Sequence, residues 1–177
     1  MLTLRRLPIM LSFLVTMVLL FGGWYLYQQM EVKEPLKTEV QQMTSATLTD
    51  LKVAKDQVIV KLHVTNPDTF PQEYRQLQKE LQAYSNGREI DVEVTNQGEQ
   101  LKKIWTDGQF AINEAIELHE YSKIPQLVAE WKQTYKLDSA VAKMDDSTIY
   151  IYMKNGKQDF YAMLPRTATT GEVTLHV

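Results

Sequence analysis

The sequence predicts an α+β fold of antiparallel strands with two to three packed helices, preceded by a single N-terminal transmembrane helix. Three observations lead there. Residues 7–27 form a run of 21 residues without a charge. Several later runs alternate apolar and polar residues with period two, the pattern of strands half-buried in a sheet. Between them, apolar residues recur three and four apart, the pattern of amphipathic helices.

The apolar run comes first. As a helix rising about 1.5 Å per residue it is roughly 30 Å long, the thickness of a bilayer's hydrocarbon core. A cleaved secretory signal has a shorter apolar region, about 7–15 residues, and a small-x-small cleavage site. Here the small pair is Gly22-Gly23, with the large Leu19 and Leu20 three residues earlier. Trp24, Tyr25 and Tyr27 close the run as an interfacial aromatic belt. An uncleaved signal-anchor is therefore expected. Arg5 and Arg6 precede the run and no acidic residue does, whereas Glu31, Lys33, Glu34, Lys37 and Glu39 follow it. The positive-inside bias keeps the N-terminus in the cytoplasm and puts the rest of the chain outside. The chain has no cysteine, so no lipid is attached through one.

Residues 1–28 thus read as a cytoplasmic stub and anchor, and 29–46, with Pro35 and few large apolar residues, as a stalk containing at most a short helix. Residues 47–166 read as the extracytoplasmic domain and 167–177 as a tail. All 22 acidic and 17 of the 19 basic residues lie beyond Met30, which gives 17 minus 22, a formal charge of −5. A mildly acidic domain has no electrostatic reason to bind nucleic acid. At about 150 residues it buries a sizeable core without disulfides or metal.

The domain opens with TLTDLKV and VIVKLHV. A tight turn at Lys55-Asp56 pairs Val53 with Val58, Leu51 with Val60 and Thr49 with Leu62, and gathers the apolar residues on one face. The turn Asn66-Pro67-Asp68-Thr69 leads into a helix, capped by Asp68 or Thr69, with Pro71 in its first turn. Tyr74, Leu77, Leu81 and Tyr84 mark its buried stripe, and Asn86-Gly87 stops it. In REIDVEV, Ile90, Val92 and Val94 point one way and Glu89, Asp91 and Glu93 the other.

A long helix is expected from Glu99, with Leu101, Ile104, Trp105, Ile112, Ala115, Ile116 and His119 on one face. Gly108 falls on that face and marks a kink or close packing. Ser122 reads as the cap of a shorter helix carrying Ile124, Leu127, Val128, Trp131 and Tyr135. A weak strand at 139–144 follows. Residues 148–153 and 157–164 then flank Asn155-Gly156, a strong hairpin signal. A turn at that dipeptide pairs Ile151 with Phe160, Ile149 with Ala162 and Tyr150 with Tyr161. Both faces of this hairpin are apolar or aromatic, so a helix or a partner must cover the second one. The tail adds an edge strand from Val173. LQKEL at Leu77 and LVAEW at Leu127 lie fifty residues apart, each followed by a strand, which raises a possible helix-strand duplication.

Chemistry is sparse. There is no Gly-x-Ser-x-Gly and no glycine-rich phosphate loop, and His63, His119 and His176 have no metal-ligand spacing. Ser122-Lys123 is a serine–lysine pair by adjacency alone. Carboxylates cluster at Glu89, Asp91 and Glu93, at Glu114, Glu117 and Glu120, and at Asp145-Asp146, without the spacing of a calcium loop. A paired-carboxylate glycosidase needs an aromatic-lined cleft. No catalytic residue, metal site or cofactor is expected. The aromatic residues Tyr150, Tyr152 and Tyr161, with Met163, crowd one side of the last hairpin. They form either core under the Trp105 or Trp131 helix or an interaction face, since tyrosine buries much area and keeps a polar tip.

In overall pattern, one N-terminal anchor and a small extracytoplasmic α+β domain, the chain resembles many bacterial envelope and sporulation-membrane proteins. Some of these assemble through small α/β modules, including the ring-building domains of the forespore channel. The resemblance is one of architecture and carries no residue across. The leading functional expectation is a non-enzymatic, membrane-anchored interaction or assembly module of a cell envelope complex. Its partners are the lipid bilayer, through 7–27, and another membrane or envelope protein or a second copy. The alternatives are a small envelope hydrolase or wall-binding domain using surface carboxylates, and an extracytoplasmic ligand-binding or sensor domain.

Overall fold

The computed structural model describes residues 6–28, 34–54, 56–84 and 87–166 and, within the first helix, the side chains of 10–25. Helix α1 (Arg6–Gln28) comes first and α2 (Glu34–Gln42) second. The segment expected as a stalk is drawn into the domain, because α2 packs on α3 and Val40 is fully buried. The run expected to span a membrane is a helix. Among the described residues, no helix is long and apolar enough to cross a membrane.

Strands β1 (Ala46–Val53), β2 (Gln57–Val64) and β3 (Glu89–Val94) make one sheet in that order. Val58, Val60, Leu62 and Val64 of β2 face inward and are buried. The β1–β2 register agrees with expectation at Val53↔Val58, Leu51↔Val60 and Asp50↔Lys61, then slips. A bulge between Leu48 and Asp50 makes Leu48 the partner of Leu62, in place of Thr49. The bulge inserts one unpaired residue and bends the strand. Expectation also fails at β3, which pairs parallel to β2. Helix α3 (Phe70–Tyr84) occupies the connection, and a helical crossover returns the chain in the same direction.

Helices α4 (Glu99–Glu117) and α5 (Lys123–Thr134) precede a second sheet, β4 (Ser139–Met144), β5 (Thr148–Asn155) and β6 (Gln158–Pro165), all antiparallel. The β5–β6 register is shifted by two from expectation, with Ile151↔Ala162, Tyr152↔Tyr161 and Asn155↔Gln158. The turn therefore sits on Gly156-Lys157. Gly156 has φ +58, and glycine at the first central position is what a type II′ turn requires. A shift of two keeps every side chain on its expected face.

Both faces of the second sheet are covered. Ile149, Ile151, Met153, Phe160, Ala162 and Leu164 pack under α4 and α5 with Leu101, Trp105, Ile112 and Val128. Tyr150, Tyr161 and Met163 point the other way and close the core of the first sheet, against Phe70 and Tyr74. One hairpin thus walls two cores. The helix–strand units proposed as a repeat end in differently paired strands, β3 parallel to β2 and β4 antiparallel to β5.

The helix ends depart from the expected signals. Ser122 precedes α5 with helical backbone angles and no side-chain capping bond, so it does not act as the cap. Helices α4 and α5 both end in Schellman motifs built on residues other than glycine. Glu120 N–H donates to Ala115 C=O with His119 at φ 57, and Leu137 N–H donates to Lys132 C=O with Lys136 at φ 52. Side chains with a Cβ are strained there. Lys136→Gly is expected to stabilise the fold by about 0.5–1 kcal/mol, read as a higher melting temperature, with Lys136→Val moving it down.

Candidate functional site

The second sheet has two edges, and they are treated differently. At β6 the outer edge is covered by the segment leading into α4. Tyr161 N–H donates to Asn96 C=O at 3.0 Å, Gly98 N–H donates to Asp159 C=O at 2.8 Å, and Gln97 bridges to Phe160. At the other edge, β4 has β5 on one side and, among the described residues, no strand on the other.

An open edge presents backbone N–H and C=O groups to any strand that approaches, and folded proteins guard such edges with charge. The edge strand β3 follows that rule, alternating Glu89, Asp91 and Glu93 with inward-facing valines. Strand β4 does not. Val141 is 40% exposed and Met144 47% exposed, and they stand on opposite faces of the strand. The strand's one charged side chain, Lys143, is engaged. Its Nζ donates to Asp68 Oδ1 at 2.5 Å and to the Asp68 carbonyl at 3.1 Å.

A cavity opens beside β4 on each face. On the side of the first sheet, a space of about 60 Å³ lies among Asp68, Ser139, Val141, Lys143 and the rings of Tyr150, Tyr152 and Tyr161. On the helix side, a more apolar groove of about 100 Å³ lies among Tyr121, Ile124, Pro125, Ala142, Met144 and Ile149. A strand laid against β4 would send alternate side chains into these two spaces, the arrangement by which sheet-edge receptors bind extended peptides.

The tyrosines expected as core or interaction face are divided by this geometry. Tyr150, Tyr161 and Met163 are buried core, and only Tyr152 reaches partial exposure. Tyr150 donates its hydroxyl to Asp145 Oδ2 at 2.8 Å. Burial, and then that bond to a carboxylate, push its pKa well above the ordinary tyrosine range. Burial, reinforced by the charge of Asp68, does the same at Tyr161, and Tyr74 is pushed up to about 12, chiefly by burial. These rings stay neutral and act by shape and hydrogen bonding.

The other candidates are committed to structure or exposed. Asp145, with 5% of its side chain accessible, accepts from the Ser147 and Thr148 N–H groups at 2.9 and 2.8 Å and lies 3.7 Å from Arg75 Nε. Burial alone would raise its pKa, but the Ser147, Tyr150 and Thr148 bonds and the Arg75 charge outweigh it and hold the carboxyl below its usual range. Glu93 pairs with Lys61 and Glu120 with Lys123. Glu114 and Glu117 lie on α4. His63 Nε2 lies 3.9 Å from Asp159, and His119 forms the α4 terminus. Among the described residues no group of three acidic, His or Cys side chains is arranged to hold a metal ion. Of the proposed anchor residues, Trp24 and Tyr25 are exposed and Arg6 begins α1. Arg5, the Tyr27 side chain, His176 and the tail strand from Val173 lie outside what the structure describes.

The chain matches no family model, no curated protein and no solved structure. The site therefore stands on its own geometry.

Sequence reasoning missed two polar nodes, because both are long-range. The carboxylate of Glu73 on α3 accepts four bonds from the strand leader, from Thr44 N–H (2.9 Å) and Oγ1 (2.6 Å) and from Ser45 N–H (3.0 Å) and Oγ (2.7 Å). Its partial burial would raise its pKa, but these bonds prevail and lower it below 4.5. A carboxyl with a lowered folded-state pKa contributes stability that is fully present above the unfolded value and is lost as pH falls through the folded value. Glu73→Gln is expected to cost about 1–2 kcal/mol near neutral pH, discounted for its exposure. In paired denaturation curves the difference from wild type should shrink below about pH 4.5. A difference independent of pH would remove the carboxylate from the account. The second node, Asn96, joins the two sheets.

Proposed function

We propose that this chain is a single-pass membrane protein whose α+β domain works outside the cytoplasm as a non-enzymatic interaction module of an envelope complex. It accepts an extended segment of a partner along β4. The observation that carries the reading is the unguarded β4 edge, with Val141 and Met144 uncovered and a cavity beside each face. The membrane part of the reading is supported by α1. Its large side chains are exposed around the helix, among them Met10, Phe13, Leu14, Val18, Phe21 and Tyr25. A helix apolar on every side requires an apolar surrounding.

The test is a photo-reactive residue placed singly at Val141, Met144 and, as control, Glu89, in cells that make the protein natively. Adducts are expected from the two β4 positions and not from Glu89. A second substitution, Val141→Lys, should remove the adduct formed from Met144. Absence of adducts at both β4 positions overturns the reading. A reporter active only outside the membrane, fused after Val177, is expected to be active, and silence sinks the orientation.

A further inference from the structure

The turn of the β5–β6 hairpin holds a reactive pair of residues. In an Asn-Gly sequence the glycine nitrogen attacks the side-chain carbonyl carbon of the asparagine, since no Cβ on the glycine obstructs the approach. The new N–C bond closes a five-membered succinimide. The side-chain nitrogen leaves as ammonia, taking up the proton that the glycine nitrogen gives up. Water then opens the ring at either carbonyl and leaves aspartate or isoaspartate. Asn155-Gly156 is such a pair. Asn155 ends β5 with its side chain exposed, and Gly156 opens the turn with φ +58. The nucleophilic nitrogen is engaged, however. Gly156 N–H donates to Asp138 Oδ2 at 2.6 Å.

We propose that Asn155-Gly156 is a site of spontaneous covalent modification, deamidation by water to aspartate or isoaspartate, and that Asp138 restrains the reaction by holding the attacking nitrogen. Asp138 is set in place from both sides. Leu137 before it is buried, and Ser139 after it pairs with Lys154 of β5. The carboxylate does not promote the attack, because a carboxylate is far too weak a base to take a proton from an amide. It opposes the attack in two ways. The nitrogen must leave a charge-assisted hydrogen bond before it reaches the Asn155 side chain. Its deprotonated form would also lie against a like charge. The product matters for the fold. Isoaspartate routes the backbone through one more carbon at the last pair of the β5–β6 ladder, Asn155↔Gln158. Aspartate instead places a new negative charge next to the N–H that Asp138 holds. Either change loosens the hairpin whose strands wall both cores, so the reaction sets a chemical lifetime for the domain.

Peptide mapping of the full chain, aged in detergent micelles at mildly alkaline pH, tests this in wild type and in Asp138→Ala. Conversion is followed by mass and by chromatographic separation of the aspartate and isoaspartate peptides. A synthetic peptide of residues 152–159, aged alongside, sets the unrestrained rate. Asn155 is expected to convert more slowly in the wild-type protein than in the peptide. In Asp138→Ala it is expected to convert roughly tenfold faster than in wild type, the scale of one hydrogen bond to a charged group. Asp138→Asn keeps a neutral acceptor and is expected to fall between the two. Gly108→Ala, which strains the α4–α5 contact away from the turn, separates loss of the restraint from general loosening and is expected to match wild type. Equal rates in wild type and Asp138→Ala overturn the proposal. So does a Gly108→Ala protein that converts as fast as Asp138→Ala, since unfolding then accounts for the effect. Conversion in the peptide but in none of the folded proteins removes the site altogether.

Discussion

Replacing Asn96 by alanine is expected to cost about 3–5 kcal/mol of folding stability. Asn96 is 1% exposed. Its Oδ1 accepts from Val64 N–H at 2.7 Å, and its Nδ2 donates to Val64 C=O at 2.9 Å and to Asp159 Oδ2 at 2.7 Å. The first two bonds continue the ladder of β2 beyond its last strand pair, and the third reaches β6 of the other sheet. Truncation leaves both Val64 backbone groups buried without partners, and each costs about 1–3 kcal/mol. Asp159→Asn keeps an oxygen for the Asn96 amide and is expected to lose under about 1.5 kcal/mol. Urea denaturation followed by tryptophan fluorescence measures both. Equal losses would mean that the Val64 clamp carries little of the effect.

Gly108→Ala should be destabilising by about 2–3 kcal/mol, against the general preference of helices for alanine by about 1 kcal/mol. A Cβ built on Gly108 would lie 2.3 Å from Cζ2 of Trp131 and 2.7 Å from its Cε2. Trp131 is in turn held edge-on to the buried Trp105, with ring centres 6.3 Å apart. The indole therefore moves only by opening the contact between α4 and α5. Adding Trp131→Leu removes the obstruction, so the double variant should lose clearly less than the sum of the two single changes. A Gly108→Ala protein more stable than wild type would show that the helices have room to separate.

The elements were legible where one period dominates. Leu101, Trp105, Ile112 and Ile116 trace a helix face whatever surrounds them, and Val58 to Val64 trace a strand. Register was legible only where the turn chemistry is unambiguous. Gly156 was read as the second turn residue and is the first, which moved every β5–β6 pair by two while leaving Tyr150 and Ile151 on their faces. The slip at Thr49 and the parallel placement of β3 depend on contacts far along the chain. Ser122 has the composition of a cap but not its backbone angles. The Glu73 clasp and the Asn96 node span separations of about thirty residues or more, and no local pattern marks them. The candidate site was half visible. The aromatic side of the last hairpin stood out in the sequence, but its tyrosines face inward. The uncovered residues belong to β4, the weakest strand signal, because an edge is a property of sheet order and not of sequence.

The hairpin that walls both cores has a consequence for folding during synthesis. Synthesis from the N-terminus delivers β1, β2, α3, β3, α4 and α5 before any part of β5 and β6. Until those last strands emerge, Phe70 and Tyr74 lack their Tyr150 and Tyr161 partners, and Trp105 lacks Phe160. Neither half can finish burying its apolar surface before then. Folding therefore waits for nearly the whole domain, and the growing chain stays open to proteases and holdase chaperones until its final hairpin arrives.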